Sequence, residues 1–124
     1  MKFQATAKYL RISTRKVRLV ADSIRRMPAE VARQQLERMP RRAAKMISGV
    51  LASAMANAKT ANAGSQLMID EIEVMGGPAM KRWRAVARGS AHGYKKRMTH
   101  IRIVLSDDTY PEADAKRKEE VKPA

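Results

Sequence analysis

The sequence predicts an α+β domain: three helices packed on a small three-stranded antiparallel sheet, with a long basic β-hairpin extension. Three observations point there. Apolar residues recur at helical spacing in three segments of the first half. Apolar and polar residues alternate at both ends of the domain. A long acid-free segment then separates the last two alternating runs. The chain has 124 residues, the size of one domain, with a net charge of +14 and a pI near 10.8. So much positive charge on a small body repels itself, and a polyanion is the natural partner. Cysteine is absent, which excludes disulfides, thiolate nucleophiles and Cys-based zinc sites.

The elements follow in order. FQATAKY at 3–9 alternates, with Phe3, Ala5, Ala7 and Tyr9 on one side, as a half-buried strand does. Ser13 stands where a helix N-cap belongs, its hydroxyl placed to accept from first-turn amides. The helix after it aligns Val17, Val20, Ala21 and Ile24 on one face. Pro28 breaks that helix and fits the first turn of a second, over about 29–39, with Ala32, Leu36 and Met39 as its apolar side. Pro40 punctuates again. A third helix then carries the stripe Ile47, Val50, Leu51, Ala54, Met55 and Ala58, and stops at Asn62-Ala63-Gly64-Ser65. LMIDEIEVM at 67–75 predicts a strand with Met68, Ile72 and Val74 on one face and Glu71 and Glu73 on the other. Another strand at 99–106 turns Ile101, Ile103 and Leu105 inward and His100 and Arg102 outward. The domain thus spans 1–106. Residues 107–124, polar and mixed in charge, are expected to form a mobile tail.

Between the last two strands lies MKRWRAVARGSAHGYKKR at 80–97, with seven Lys or Arg, no acid, and the only Trp of the chain. The segment is either a solvated loop or a hairpin arm over about 78–99 that turns near Gly89 to Gly93. Two strands alone are marginal in water, so an arm needs a partner. Its charges name one. Lys81, Arg82, Arg84, Arg88, Lys95, Lys96 and Arg97 suit phosphates, and Trp83 and Tyr94 offer flat surfaces for unstacked bases. Lys8, Arg11, Arg15, Lys16 and Arg18 make a second acid-free cluster before Asp22, either a solvated face or a second RNA-contacting surface.

GPAMKRWRAVARGSAHGYKKRMTHIRIV resembles the long hairpin of the universal large-subunit ribosomal protein family number twenty-two. ISTRKVRLVAD at 12–22 and VLASAMANA at 50–58 extend the resemblance over about residues 5–106. It implies a structural, non-enzymatic constituent of the large ribosomal subunit that binds ribosomal RNA and aids its folding and assembly. Its arm would thread through that RNA, braced by Lys81 to Arg84 and Lys95 to Arg97. The tip (Arg88, Gly89, Ser90, Ala91, His92 and Gly93) would line the exit tunnel. The implied partners are large-subunit ribosomal RNA, neighbouring large-subunit proteins and the nascent polypeptide in transit. Ser13-Thr14 departs from a Ser-Pro common in the family, Ser90 from an arginine, and Ala85, Val86 and Gly93 from residues often basic or proline.

Other chemistry finds little support. Glu71 and Glu73 share a strand face with Asp70 turned away, as on a solvated surface. The two histidines, His92 and His100, have no carboxylate motif beside them to make a metal site. GGPAMK lacks the spacing and terminal Ser/Thr of a phosphate loop. The serines lack a nucleophile context, and methionines at helical spacing read as core filler. No enzyme, metal, cofactor, membrane contact or homo-oligomer is expected. MKFQATAKYLRIS has no apolar signal run and no transit-like character, so the expected location is the cytoplasm. A free-standing RNA-binding module or RNA chaperone remains the alternative, and an RNA-processing enzyme a weaker one.

Overall fold

The computed structural model describes residues 1–61 and 66–107. Among them are the strand β1 (Lys2–Leu10), helices α1 (Thr14–Ile24), α2 (Ala29–Arg38) and α3 (Arg42–Thr60), and strands β2 (Met68–Gly76), β3 (Met80–Ala85), β4 (Ala91–Lys96) and β5 (Thr99–Ser106). The fold is α+β. One antiparallel sheet has the order β1-β5-β2, and β3 and β4 pair as a separate two-stranded ribbon. The helix stop expected at Asn62 to Ser65 lies outside the described residues, as does the expected tail beyond Asp107.

The core forms where the two periodicities meet. β5 is the central strand, and its Ile101, Ile103 and Leu105 are fully buried. Ile47, Leu51 and Ala54 of α3 and the expected stripe of α1 complete the same cluster. Each buried Ile or Leu contributes roughly 1.5–3 kcal/mol, which makes this layer the main source of stability. Small residues, among them Ala43, Ala44 and Ala58, share the buried side of α3 with its larger apolar stripe. α2 packs on α3, and α1 lies against β2.

Two bulges shift the expected strand faces. The β1–β5 register slips between Ala7 and Leu10, and Tyr9 takes a left-handed φ of 60°. Tyr9 therefore leaves the inward row begun by Phe3 and Ala5 and is exposed. Its amide instead donates to His100 Nδ1 at 3.0 Å, and the two rings meet edge to face at 4.9 Å. The β2–β5 register slips between Ile69 and Glu71. The extra residue puts Ile69 in the core with Ile72, where strict alternation had placed Met68. Asp70 meets Lys2 at 3.0 Å, while Glu71 and Glu73 both bind Arg102, at 3.6 and 3.0 Å.

The helix starts also differ from expectation. Ser13 occupies the N-cap of α1 with extended φ and ψ, but its side chain makes no capping bond. Pro28 is the N-cap of α2 rather than a first-turn residue. The reason is tertiary: Pro28 bridges Met68, the Ala29 amide donates to the Leu67 carbonyl at 2.8 Å, and the Ile69 amide donates to the Met27 carbonyl at 3.0 Å. The α1–α2 connection is thereby stitched to the start of β2.

Candidate nucleic-acid interface

The ribbon has a defined register, Met80 opposite Lys96 through Ala85 opposite Ala91. Alternation gives it two faces. Lys81, Trp83 and Ala85 share one with Lys95, Gly93 and Ala91. Met80, Arg82 and Arg84 share the other with Lys96, Tyr94 and His92. Every residue from 81 to 97 is exposed, Trp83 at 74%. Cation and aromatic alternate across the second face, where the Arg84 guanidinium sits 5.5 Å from the Tyr94 ring centre.

The turn lies earlier than the expected Gly89 to Gly93. A single 3₁₀ turn at Ala87–Gly89 closes the ribbon, with the Val86 amide donating to the Ser90 carbonyl at 2.9 Å. Arg88 and Gly89 both take left-handed φ, 62° and 69°. Of the six expected tip residues, Arg88, Gly89 and Ser90 form the turn, whereas Ala91, His92 and Gly93 are paired strand. The ladder, with Trp83 opposite Gly93 and Ala85 opposite Ala91, runs through the second half of the expected turn.

A cleft of about 330 Å³ opens where the ribbon leaves the body. Arg11, Ile12 and Ser13 just before α1, Lys16 in its first turn, Arg42 at the start of α3, Lys95 and Lys96 at the end of β4, and Arg97 just after it line the cleft. Six of these eight residues are cations and none is acidic. Two clusters far apart in sequence thus share one cavity. Arg42 is not among the residues the sequence pattern singled out; its signal is the acid-free Arg41-Arg42 pair at a helix start.

The remaining expected residues lie outside the cleft. Lys8 is exposed in the β1 bulge and Arg15 is exposed on α1. Lys81, Arg82 and Arg84 are distributed along β3. Arg18 is engaged within the body, donating to the Val74 carbonyl at 3.3 Å, and Arg25 donates to the Ile72 carbonyl at 3.1 Å. These two guanidiniums satisfy successive outward carbonyls of β2, an edge strand.

Among the described residues no group of three or more His, Asp or Glu side chains is gathered to hold a metal, and no helix is long and apolar enough to cross a membrane. His100 is held in its contact with Tyr9, and the carboxylates of β2 are held by Lys2 and Arg102. An exposed cationic ribbon joined to a cationic cleft defines a polyanion-binding protein.

Comparison with known proteins narrows that class. The family model described as ribosomal protein L22p/L17e matches residues 5–106. Large ribosomal subunit protein uL22 of Syntrophus aciditrophicus (strain SB) is 45% identical over 109 residues, covering 86% of this chain and 99% of its own length. The uL22 protein of Desulfatibacillum aliphaticivorans is 42% identical over 106 residues, covering 85% and 98%. That of Maridesulfovibrio salexigens is 42% identical over 109 residues, covering 86% and 99%. The chain belongs to the ribosomal protein L22p/L17e family. It is accordingly a structural ribosomal protein and not an enzyme.

Proposed function

We propose that this chain is a structural constituent of the large ribosomal subunit. It binds large-subunit ribosomal RNA, aids its folding and assembly, and lines the nascent-peptide exit tunnel with the tip of its ribbon. Family membership and the relatives' names carry the large-subunit assignment. The observation that carries RNA binding is the ribbon itself, exposed throughout 81–97, with seven cations and no acid. An element with no core of its own gains order from what surrounds it.

In this reading residues 1–106 act as one RNA-binding domain, with the arm at about 78–99. Lys81, Arg82, Arg84, Lys95, Lys96 and Arg97 neutralise backbone phosphates along the arm, and Trp83 stacks on a base. Lys8, Arg11, Arg15, Lys16 and Arg18 form the body's RNA surface, Arg18 with the donors that its bond to Val74 leaves over. Arg88 to Gly93 face the nascent polypeptide. Neighbouring large-subunit proteins complete the surroundings of a single copy working in the cytoplasm.

Sedimentation of gently lysed cells tests the assignment. The chain is expected to co-migrate with large subunits at about one copy each and to survive a high-salt wash. A chain found mainly at the top of the gradient points to a free-standing RNA-binding module. The tunnel role has its own test: a photo-crosslinking residue in place of Ser90 should capture nascent chains on translating ribosomes. Absence of that capture counts against the tunnel role alone.

A further inference from the structure

The hydrogen-bonded ladder of the body does not run on into the ribbon. β2 ends at Gly76 and β3 begins at Met80; β4 ends at Lys96 and β5 begins at Thr99. Across this gap the Gly77 amide donates to the Met98 carbonyl at 2.9 Å. Two short connectors therefore make a joint between two separate sheets.

The cationic cleft sits on that joint. Its body wall carries Arg11, Lys16 and Arg42, and its ribbon wall carries Lys95, Lys96 and Arg97. Like charges on opposing walls repel, so without a counter-anion the walls are driven apart. An anion between them reverses the sign of that force. Two helix starts border the same cavity. Neither α1 nor α3 has a capping side-chain bond or an acid in its first turn, so their amide ends add to the attraction for an anion. A volume of about 330 Å³ is ample for a hydrated phosphodiester, and the cations that line it favour that anion.

We propose that this cleft grips backbone phosphate of RNA between its two walls, and that the grip sets the angle of the ribbon to the body. The inference rests on the reading that the chain binds RNA. It adds a specific place, a specific moiety and a mechanical consequence. Phosphate in the cleft is a latch, and the ribbon is directed only once RNA has engaged the body.

The chain supplies its own reporter. Its one Trp is Trp83, in the ribbon, and it has no cysteine. A Ser53→Cys variant, at an exposed site on α3, accepts a fluorescent acceptor. Energy transfer from Trp83 is followed while the full chain is titrated with a short RNA hairpin, with donor-only protein correcting for quenching by bases. Lys16→Gln with Arg42→Gln removes cleft charge from the body wall and leaves the ribbon intact. Lys59→Gln with Arg38→Gln removes equal charge elsewhere. All four residues are exposed, and circular dichroism checks the fold of each variant.

Protein without the cleft changes and the control pair should show a saturable change in transfer. The cleft pair should bind about tenfold more weakly than the control and lose that change at saturation, as expected for lost charge-assisted bonds. Equal affinity and an equal end point for the cleft and control pairs overturn the latch while leaving RNA binding in place. Failure of the unaltered protein to bind RNA overturns the reading beneath it as well.

Discussion

Trp83 lies across the backbone of Gly93. The two are direct partners in the ribbon register, and a β-carbon on Gly93 would stand 3.7 Å from Trp83 Cζ3. The indole covers a strand position that has no side chain of its own, giving the ribbon an apolar contact where it otherwise has little. Such cross-strand pairs contribute roughly 0.2–1 kcal/mol, a large fraction of the stability of so marginal an element. Trp83→Ala should therefore speed hydrogen exchange of the amides in 80–96 severalfold in free protein and leave the melting temperature of the body unchanged. Gly93→Ala, whose added carbon meets only ordinary van der Waals contact, should leave exchange near normal. Unchanged exchange in Trp83→Ala would mean that the ribbon is held by something else.

Lys81 faces Lys95 directly on the same side of the ribbon. Like charges at that spacing destabilise a strand pair, so the free ribbon carries a repulsion that an RNA phosphate would relieve. Lys81→Glu should make the ribbon of the free protein more protected against exchange, by roughly 0.2–1 kcal/mol. The same change should weaken RNA binding and lower the salt dependence of log K by about one or two units. Stability and binding moving in the same direction would contradict a phosphate role for this pair.

Arg18 and Arg25 act on neighbouring carbonyls of the β2 edge, Val74 and Ile72. Each bond to a charged donor is partly solvent-exposed, so the expected cost of Arg18→Ala is modest, about 0.5–1.5 kcal/mol by urea unfolding. Because one guanidinium nitrogen is engaged inward, Arg18→Ala should reduce RNA affinity less than Arg11→Ala, which removes a cleft cation with no such duty. The comparison is made by filter binding at one fixed salt concentration. An equal or larger loss for Arg18 would show that its outward donors dominate.

Much of this was legible from spacing alone. The stripe Val17, Val20, Ala21, Ile24 and the inward row Ile101, Ile103, Leu105 are buried as their periods require, because helix and strand geometry leave a side chain little choice of face. The bulges at Tyr9 and Asp70 were not legible. A register slip is settled by the partner strand, and nothing in FQATAKY or LMIDEIEVM marks it. Pro28 was placed one position too far into α2 because its pairing with Met68 is a contact between distant segments. Charge composition marked the ribbon and the cluster from Lys8 to Arg18, but not their junction. Lys16 and Arg97 line one cavity only because the fold returns β4 to the start of α1, and Arg42 joins them from a third segment.

Thr99 ties that junction together. Its side chain is fully buried at the first position of β5, and its hydroxyl donates to the Ile12 carbonyl at 2.6 Å. Ile12 lies between Arg11 and Ser13, so this one bond fixes the body wall of the cleft against the strand that leads from Arg97. Thr99→Val keeps the shape but strands a buried carbonyl, at a cost of about 1–3 kcal/mol. For a domain of this size the melting temperature should fall by roughly 4–15 °C. Thr99→Ser keeps the donor and loses only a methyl, so it should recover most of the stability. If the bond also sets the spacing of the cleft, RNA affinity measured well below either melting temperature should fall in Thr99→Val and return in Thr99→Ser. A Thr99→Val protein that melts low but binds RNA normally would confine the bond to the core and leave the geometry of the cleft to its charges.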